Sequence, residues 1–243
     1  MVSNCYTLQR MAKEKVAVIT GASHGIGARL VAAYSDAGYN VVANARSIEA
    51  SADPSIVNVA GDIADPNTAD RIMEAVESFG RLDTLVNNAG IFISKPFTEY
   101  TQADYDAMLA TNIAGFFHLT QRAVRKMERQ GWGHIVNVTT TAAEQPINGS
   151  PALLASLTKG GLNSATKALA IEYGQRGIRV NAVSLGIIKT QQSASYAGLE
   201  SLEPLHRLGE IADVVRAVMY LEGAQFVTGE ISHVDGGQSA GHW

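Results

Sequence analysis

The hydrophobic positions of this chain fall into two alternating patterns. Short runs rich in Val, Ile and Ala occupy 15–19, 40–43, 56–59, 84–86, 134–138, 179–183 and 230–234. Several are apolar on consecutive residues, as strands buried on both faces must be. Between them, 25–37, 67–79, 101–129, 153–175 and 210–222 carry apolar residues near a period of 3.6. The segment LNSATKALAIEY at 162–173 shows that stripe well, and such a stripe predicts a helix with one buried face.

Strands alternating with helices predict a parallel sheet covered on both faces. Right-handed crossovers make it a doubly wound α/β sheet of the Rossmann type, with about seven strands. No repeat, low-complexity tract or Pro/Ser-rich linker interrupts the pattern. Residues 13–243 therefore read as one domain, preceded by an N-terminal extension over 1–12. The least regular stretch is 186–209, GIIKTQQSASYAGLESLEPLHRLG. It follows the sixth strand, at a carboxyl end where ligands bind in such sheets, and is expected to be a substrate lid. Its Tyr196, Leu199, Leu202, Leu205 and His206 suggest a small, partly apolar molecule without a strongly anionic group.

Composition narrows the classes. Of 243 residues, 46% are hydrophobic and 17% charged, enough for a large core and unlike a disordered chain. The net charge is -4, with no block of five like charges, a poor footprint for nucleic acid or an anionic membrane. No apolar run approaches the ~18 residues of a membrane helix. The first fifteen residues lack the apolar region of a secretory signal, so a cytoplasmic protein is expected. Cys5 is the single cysteine, so no intrachain disulfide is expected. Six histidines show no metal-ligand spacing, and no metal site is expected.

Candidate chemistry begins after the first strand. KVAVIT runs into Gly21, Ala22, Ser23, His24, Gly25, Ile26 and Gly27, and then a helix. Glycines there permit a tight turn and bring backbone N–H groups close to a pyrophosphate, with the helix N-terminus adding partial positive charge. The end of the second strand reads Val41 to Ser47 with no acid before Glu49. An acid would bond a ribose 2′-hydroxyl. Arg46 can instead pair with a 2′-phosphate, assisted by His24 or Ser47, so NADP (NADPH) is expected over NAD.

These motifs resemble the short-chain dehydrogenase/reductase family over about 13–238. The carriers are Thr20 to Gly27, Gly61-Asp62-Ile63, Asn87-Asn88-Ala89-Gly90, Asn112 in ATNIAG, Lys159-Gly160-Gly161-Leu162, Arg179 to Val183, Val227 to Glu230 and Val234 to Gly237. The resemblance implies roles by position. Asp62 and Ile63 would contact adenine, and Asn88, Ala89 and Gly90 would line the cofactor. Ile188 and Thr190 would hold the nicotinamide amide. Lys159 would bond the nicotinamide ribose, with Asn112 holding a water nearby. It also implies a homodimer or homotetramer, paired through the helices at 101–129 and 153–175.

The active-site pattern departs from the family. The family's proton donor is a tyrosine four residues before the lysine; here that position is Ala155. The enoyl-reductase variant's position, seven before, is Ala152. No tyrosine lies between Tyr105 and Tyr173. Thr140 takes the place of the family serine, and Leu185 that of a proline. Loss of a general acid typically costs ~10²–10⁴ in rate. Three readings follow: an oxidoreductase with another donor, or with a substrate such as an iminium that needs none; a lyase or cyclase keeping the cofactor as scaffold; or a silent NADP-binding subunit or sensor. Replacement donors are Lys159 through water, Thr140, Glu144, Ser150, Tyr196 and His206. Lys159, Thr140 and Asn112 are the residues expected to carry catalysis.

Overall fold

The structure is a computed structural model that describes residues 15–190 and 198–241, the side chains of 201 and 202 excepted. The extension 1–12, Cys5 and Tyr196 lie outside the described residues.

All seven expected strands are present in one parallel sheet. They are β1 (Lys15–Thr20), β2 (Tyr39–Ala45), β3 (Ile56–Ala60), β4 (Thr84–Asn87), β5 (Gly133–Thr140), β6 (Ile178–Leu185) and, after a two-stranded side pair, β9 (Ile231–Val234). The order across the sheet is β3-β2-β1-β4-β5-β6-β9. The side pair joins β7 (Ile188–Lys189) to β8 (Gly209–Glu210), the two ends of the irregular segment. The chain leaves β1 toward β3 and returns through β4 on the other side. A crevice opens at such a reversal, beyond the carboxyl ends of the strands.

Helices cover both faces. On one lie α1 (Gly25–Asp36) and α6 (Ile211–Gly223), packing Leu30, Tyr34, Val214, Val218 and Leu221 on Ile19, Val41, Val86 and Val183. On the other lie α2 (Pro66–Glu77), α4 (Gly115–Gln130) and α5 (Leu153–Tyr173), with Ile72, Val76, Leu119, Met127 and Ala170 against Val18, Leu85, Ile135 and Val180. Local signals set the helix ends. Asp65 accepts from Asn67 N at 2.9 Å and Pro66 opens α2, while Gly131, at φ 80°, closes α4.

One expected helix is divided. The sequence predicts a continuous helix over 101–129. The structure has α3 (Gln102–Leu109), a π turn at Ala110–Ala114, and then α4. The wide turn carries Asn112, which is buried and bonds the backbone of Ile91 at both ends of its carboxamide. A π turn inside a helix commonly marks a functional site.

The amino ends of the strands meet on one carboxylate. Glu222 of α6 accepts from Tyr34 (3.0 Å), Tyr39 (2.9 Å), Thr84 (2.9 Å) and His134 Nδ1 (3.0 Å). Asn181 Nδ2 stands 3.2 Å from His134 Nε2, which fits a neutral ring with its proton on Nδ1. Arg179 donates to the carbonyls of Leu221, Glu222, Ala224 and Val227, closing the carboxyl end of α6. Burial alone would raise the Glu222 carboxyl, but the bonds from His134, Tyr39 and Thr84 outweigh it and hold the group at about 2. Burial lowers His134 as well.

Both groups bind protons less readily folded than unfolded. Their stabilisation is therefore present above the ordinary histidine range and is lost as pH falls through it toward about 2. Glu222→Ala leaves four buried donors unpaired and is expected to cost about 3–5 kcal/mol in urea unfolding at neutral pH. The loss of stability as pH falls from about 4.5 toward about 2 should be shallower in that variant; an unchanged slope there would contradict the assignment.

Candidate active site

The cleft is built around the loop from β1 to α1. Gly21 has φ 66°, and a Cβ there would stand 2.9 Å from Ala89 Cα. A Cβ on Gly27 would stand 2.1 Å from Gly21 O, so only glycine lets the first turn of α1 lie this close to the strand end. His24 is the N-cap of α1, but its side chain makes no capping bond and the first turn holds no acid. The amides of that turn are left for an anion, where the helix field favours negative charge.

Thr20 and Asn88 join this loop to the end of β4. Thr20 Oγ1 accepts from Asn88 N at 3.1 Å and from Ala89 N at 2.9 Å. Asn88 Nδ2 donates to the carbonyls of Thr20 and Gly21. The result is a cleft of about 590 Å³ lined by Gly21, Ser23, His24, Gly25, Ile26, Gly27, Arg46, Ser47, Asp62, Ile63, Asn88, Ala89, Gly90 and Thr190. Fourteen of the sixteen residues expected to hold a cofactor thus share one wall. Lys159 and Ile188 are the exceptions.

Ile188 is buried in β7 and packs in the core beside α6 and the sheet, not in the cleft. Its apolar side chain fills space under Gly209, whose added Cβ would meet Ile188 Cδ1 at 2.4 Å. Lys159 stands directly behind Gly90. A Cβ on Gly90 would lie 2.8 Å from Lys159 Nζ and 3.2 Å from Asn112 Oδ1. The ammonium donates to Val138 O at 2.8 Å, and desolvation lowers its pKa to about 8. Asn112 Oδ1 accepts from Ile91 N, while Nδ2 donates to Ile91 O and Thr158 Oγ1. Its observed work is thus to tie the segment after β4 to α5.

The proton-donor candidates separate clearly. Thr140 Oγ1 donates to Leu185 O at 3.3 Å and accepts from Ala142 N at 3.4 Å, capping the turn Thr141–Ala143. Glu144 accepts from Asn163 Nδ2 at 2.7 Å and meets His233 Nε2 at 2.8 Å. Ser150 closes a turn on Ile147 O. His206 is exposed, with φ 51°. Ala155 is fully buried in a small cluster with Met108 and Leu154, against which Ile91, Ile93, Tyr100 and Ala152 pack. The Tyr100 hydroxyl donates to Ile93 O at 2.7 Å.

Sequence reasoning missed several wall residues. Asn44 bonds Val59 O and Gly61 O across the ends of β2 and β3 and lines the cleft, as do Ile91, Phe92 and Thr111. Arg71 of α2 reaches the space beside Gly61, where an added Cβ would meet its Nη2 at 2.4 Å. Asn44 lies at a strand end already under scrutiny; Arg71 becomes a neighbour only when α2 packs. Among the described residues, no group of three or more His, Cys, Asp or Glu side chains could hold a metal ion. No described helix is long and apolar enough to cross a membrane.

A parallel sheet of this order, with a glycine loop at the crevice and a lysine behind its Gly90 wall, defines a dinucleotide-type α/β site. A family model described as Enoyl-(Acyl carrier protein) reductase matches residues 21–239. The chain belongs to this family, the short-chain dehydrogenase/reductases, and is an oxidoreductase of that type. It is 32% identical over 245 residues to the 3-oxoacyl-(acyl-carrier-protein) reductase FabG of Staphylococcus aureus, covering 93% of this chain and 99% of that one. The ElxO protein with NADP bound is similar at a TM-score of 0.87 and 31% identity, over 94% of this chain and 100% of that one. The 3-ketoacyl-(acyl-carrier-protein) reductase of Brucella melitensis complexed with NADH is similar at 0.87 and 30%, over 94% and 99%.

Gly27→Ala should push the first turn of α1 off Gly21. The expected outcome is a loss of ~1–3 kcal/mol in chemical unfolding, with dinucleotide binding weakened at least ~10-fold. Wild-type affinity in calorimetric titration of that variant would contradict the close-approach argument.

Proposed function

We propose that the protein is an NADP(H)-dependent oxidoreductase that moves hydride to or from a small, partly apolar carbonyl, alcohol or imine compound, with a proton donor other than tyrosine. The observation that carries this reading is one cleft with Arg46, Ser47 and His24 along its wall and the Lys159 ammonium behind its Gly90. The relative with NADP bound supports the cofactor, and the relative with NADH bound keeps NAD as the weaker alternative. The 3-oxoacyl relative supports a carbonyl substrate.

The glycine cradle fits a pyrophosphate, since a single added Cβ would fill it. Arg46 offers a planar fork to a 2′-phosphate, and no carboxylate stands at the end of β2 to select a free hydroxyl. Asp62 and Ile63 would hold the adenine; Asn88, Ala89 and Gly90 would back the nicotinamide half, with Thr190 at its amide. The bound nicotinamide supplies or accepts the hydride. The chain's own task is the proton. Reducing a ketone leaves an alkoxide, and Lys159, at about 8, gives up a proton more readily than an ordinary lysine, directly or through water. Thr140 is assigned as a hydroxyl partner near the reacting oxygen, and Asn112 positions α5 around Lys159. An iminium substrate accepts hydride without forming an alkoxide and needs no such donor.

The segment 186–209 is proposed as the substrate lid, with its base where β7 pairs β8 and where Glu203 accepts from Ile187 N at 3.0 Å. Exposed Phe117 on α4 and Leu153, Leu157 and Ile171 on α5 support pairing of two or four copies through these helices. The sealing of Ala155 favours a second reading, an NADP-binding subunit without turnover.

NADP⁺ should bind at least ~10-fold tighter than NAD⁺, and Arg46→Ala should remove most of that margin, as loss of a charge-assisted pair does. Equal affinities in wild type would refute the cofactor choice. Across ketone and imine panels, NADPH oxidation by ketones should fall above pH ~8 as Lys159 loses its proton, and Lys159→Ala should lower that ketone activity by ~10²–10⁴. No oxidation with any panel member, despite tight NADP⁺ binding, would favour the subunit reading.

A further inference from the structure

Glu203 is an acid in a buried place: it is 1% exposed and does not line the cleft. Its Oε1 accepts from Ile187 N at 3.0 Å, and its Oε2 has no hydrogen-bond partner among the described residues. Two glycines make room for it. A Cβ on Gly186 would stand 2.9 Å from Oε1, and one on Gly236 3.1 Å from Oε2. Burial raises the carboxyl's pKa, the Ile187 N–H lowers it, and Asp235 raises it further. A desolvated acid with one oxygen unpaired lowers stability. An apolar side chain would fill the same space without that penalty, so what the acid adds is its bond to Ile187.

That bond acts on one end of the cleft. Glu203 takes the Ile187 N–H, and Gly209 N donates to the Ile187 carbonyl at 2.9 Å. Just before them, Gly186 N donates to Val234 O at 3.1 Å, tying the turn to β9. Ile188 and Lys189 then pair with Gly209 and Glu210, and Thr190 enters the cleft wall. Arg46, Ser47 and Asp62 line the cleft from the ends of β2 and β3, which lie across β1 from β6 and β9. The two halves of the cleft are therefore held by different edges of the sheet.

We infer that Glu203 is a positioning residue for the nicotinamide half of the cleft, fixing the run 187–190 through the Ile187 amide, and that it leaves the adenosine half untouched. The inference rests on the NADP reading above. Without the acceptor, Ile187 N is left unpaired, and Thr190, the third residue after it, loses its fixed place. The adenosine half keeps its own supports at the ends of β2 and β3. Such coupling is reciprocal: a nicotinamide seated on this run steadies the Glu203–Ile187 bond as much as the bond steadies the nicotinamide.

The test is calorimetric titration of the full chain with NADP⁺ and with 2′-phospho-ADP-ribose, the same molecule without its nicotinamide ring. Glu203→Leu keeps the bulk and removes the acceptor; Glu203→Gln keeps an acceptor and removes the charge. In Glu203→Leu the NADP⁺ Kd is expected to rise roughly tenfold, the scale of one buried donor left unpaired, with the Kd of the fragment unchanged. Glu203→Gln should match wild type for both ligands, since its amide oxygen can serve Ile187 N. A wild-type NADP⁺ Kd in Glu203→Leu, equal weakening of both ligands, or a Gln variant as weak as the Leu variant overturns this inference and leaves the NADP reading standing. Hydrogen exchange of wild type reads the same coupling if Glu203→Leu fails to fold. The Ile187 amide should gain protection with NADP⁺ and none with the fragment; equal protection by both overturns the inference. No saturable NADP⁺ binding by wild type overturns both readings.

Discussion

The approach of α1 to the end of β1 is the contact on which the site depends. Gly27 lies so near Gly21 O that one methyl group would separate them. That closeness turns the first-turn amides of α1 toward the carboxyl edge of the sheet, without a capping side chain to compete. The same loop is bonded through Thr20 and Asn88 to the end of β4, so its position fixes that of Ala89 and Gly90. Behind Gly90 stands the Lys159 ammonium. The glycine loop and Lys159 are thus linked through a few rigid contacts.

The two edges of the sheet divide the labour. At the amino edge, Tyr34, Tyr39, Thr84 and His134 converge on Glu222, and Arg179 closes the end of α6. Buried polar groups that find partners there hold the strands in place. At the carboxyl edge, Ser23, His24, Arg46 and Ser47 stay exposed along the cleft. A doubly wound sheet places its stabilising network and its ligand crevice at opposite ends of the same strands.

The surroundings of Ala155 are closed. Ala155 and Lys159 lie one turn apart on α5, so their side chains share a face. A simple deletion of a large group would leave a cavity and its cost. Instead, Met108 and Leu154 close over Ala155, with Ile91 and Ile93 beside them, and Tyr100 bonds its hydroxyl to backbone. The desolvated Lys159 ammonium would lie 2.8 Å from a Cβ on Gly90, one turn along α5 from Ala155.

The seven strands, the helices between them and the glycine loop were legible in the chain, because strand and helix periodicity are local and the loop motif is contiguous. The absence of tyrosine before Lys159 was equally plain. What the chain could not reveal was convergence across long separations. Arg71 meets Gly61, Asn112 holds Ile91, and Glu144 is drawn to His233 only once helices pack and strands align. The motif order assigned Ile188 to the cofactor, but its apolar side chain packs in the core. Local order follows from the short-range preferences of neighbouring residues. A side chain's final partners depend on which distant surfaces fold against it.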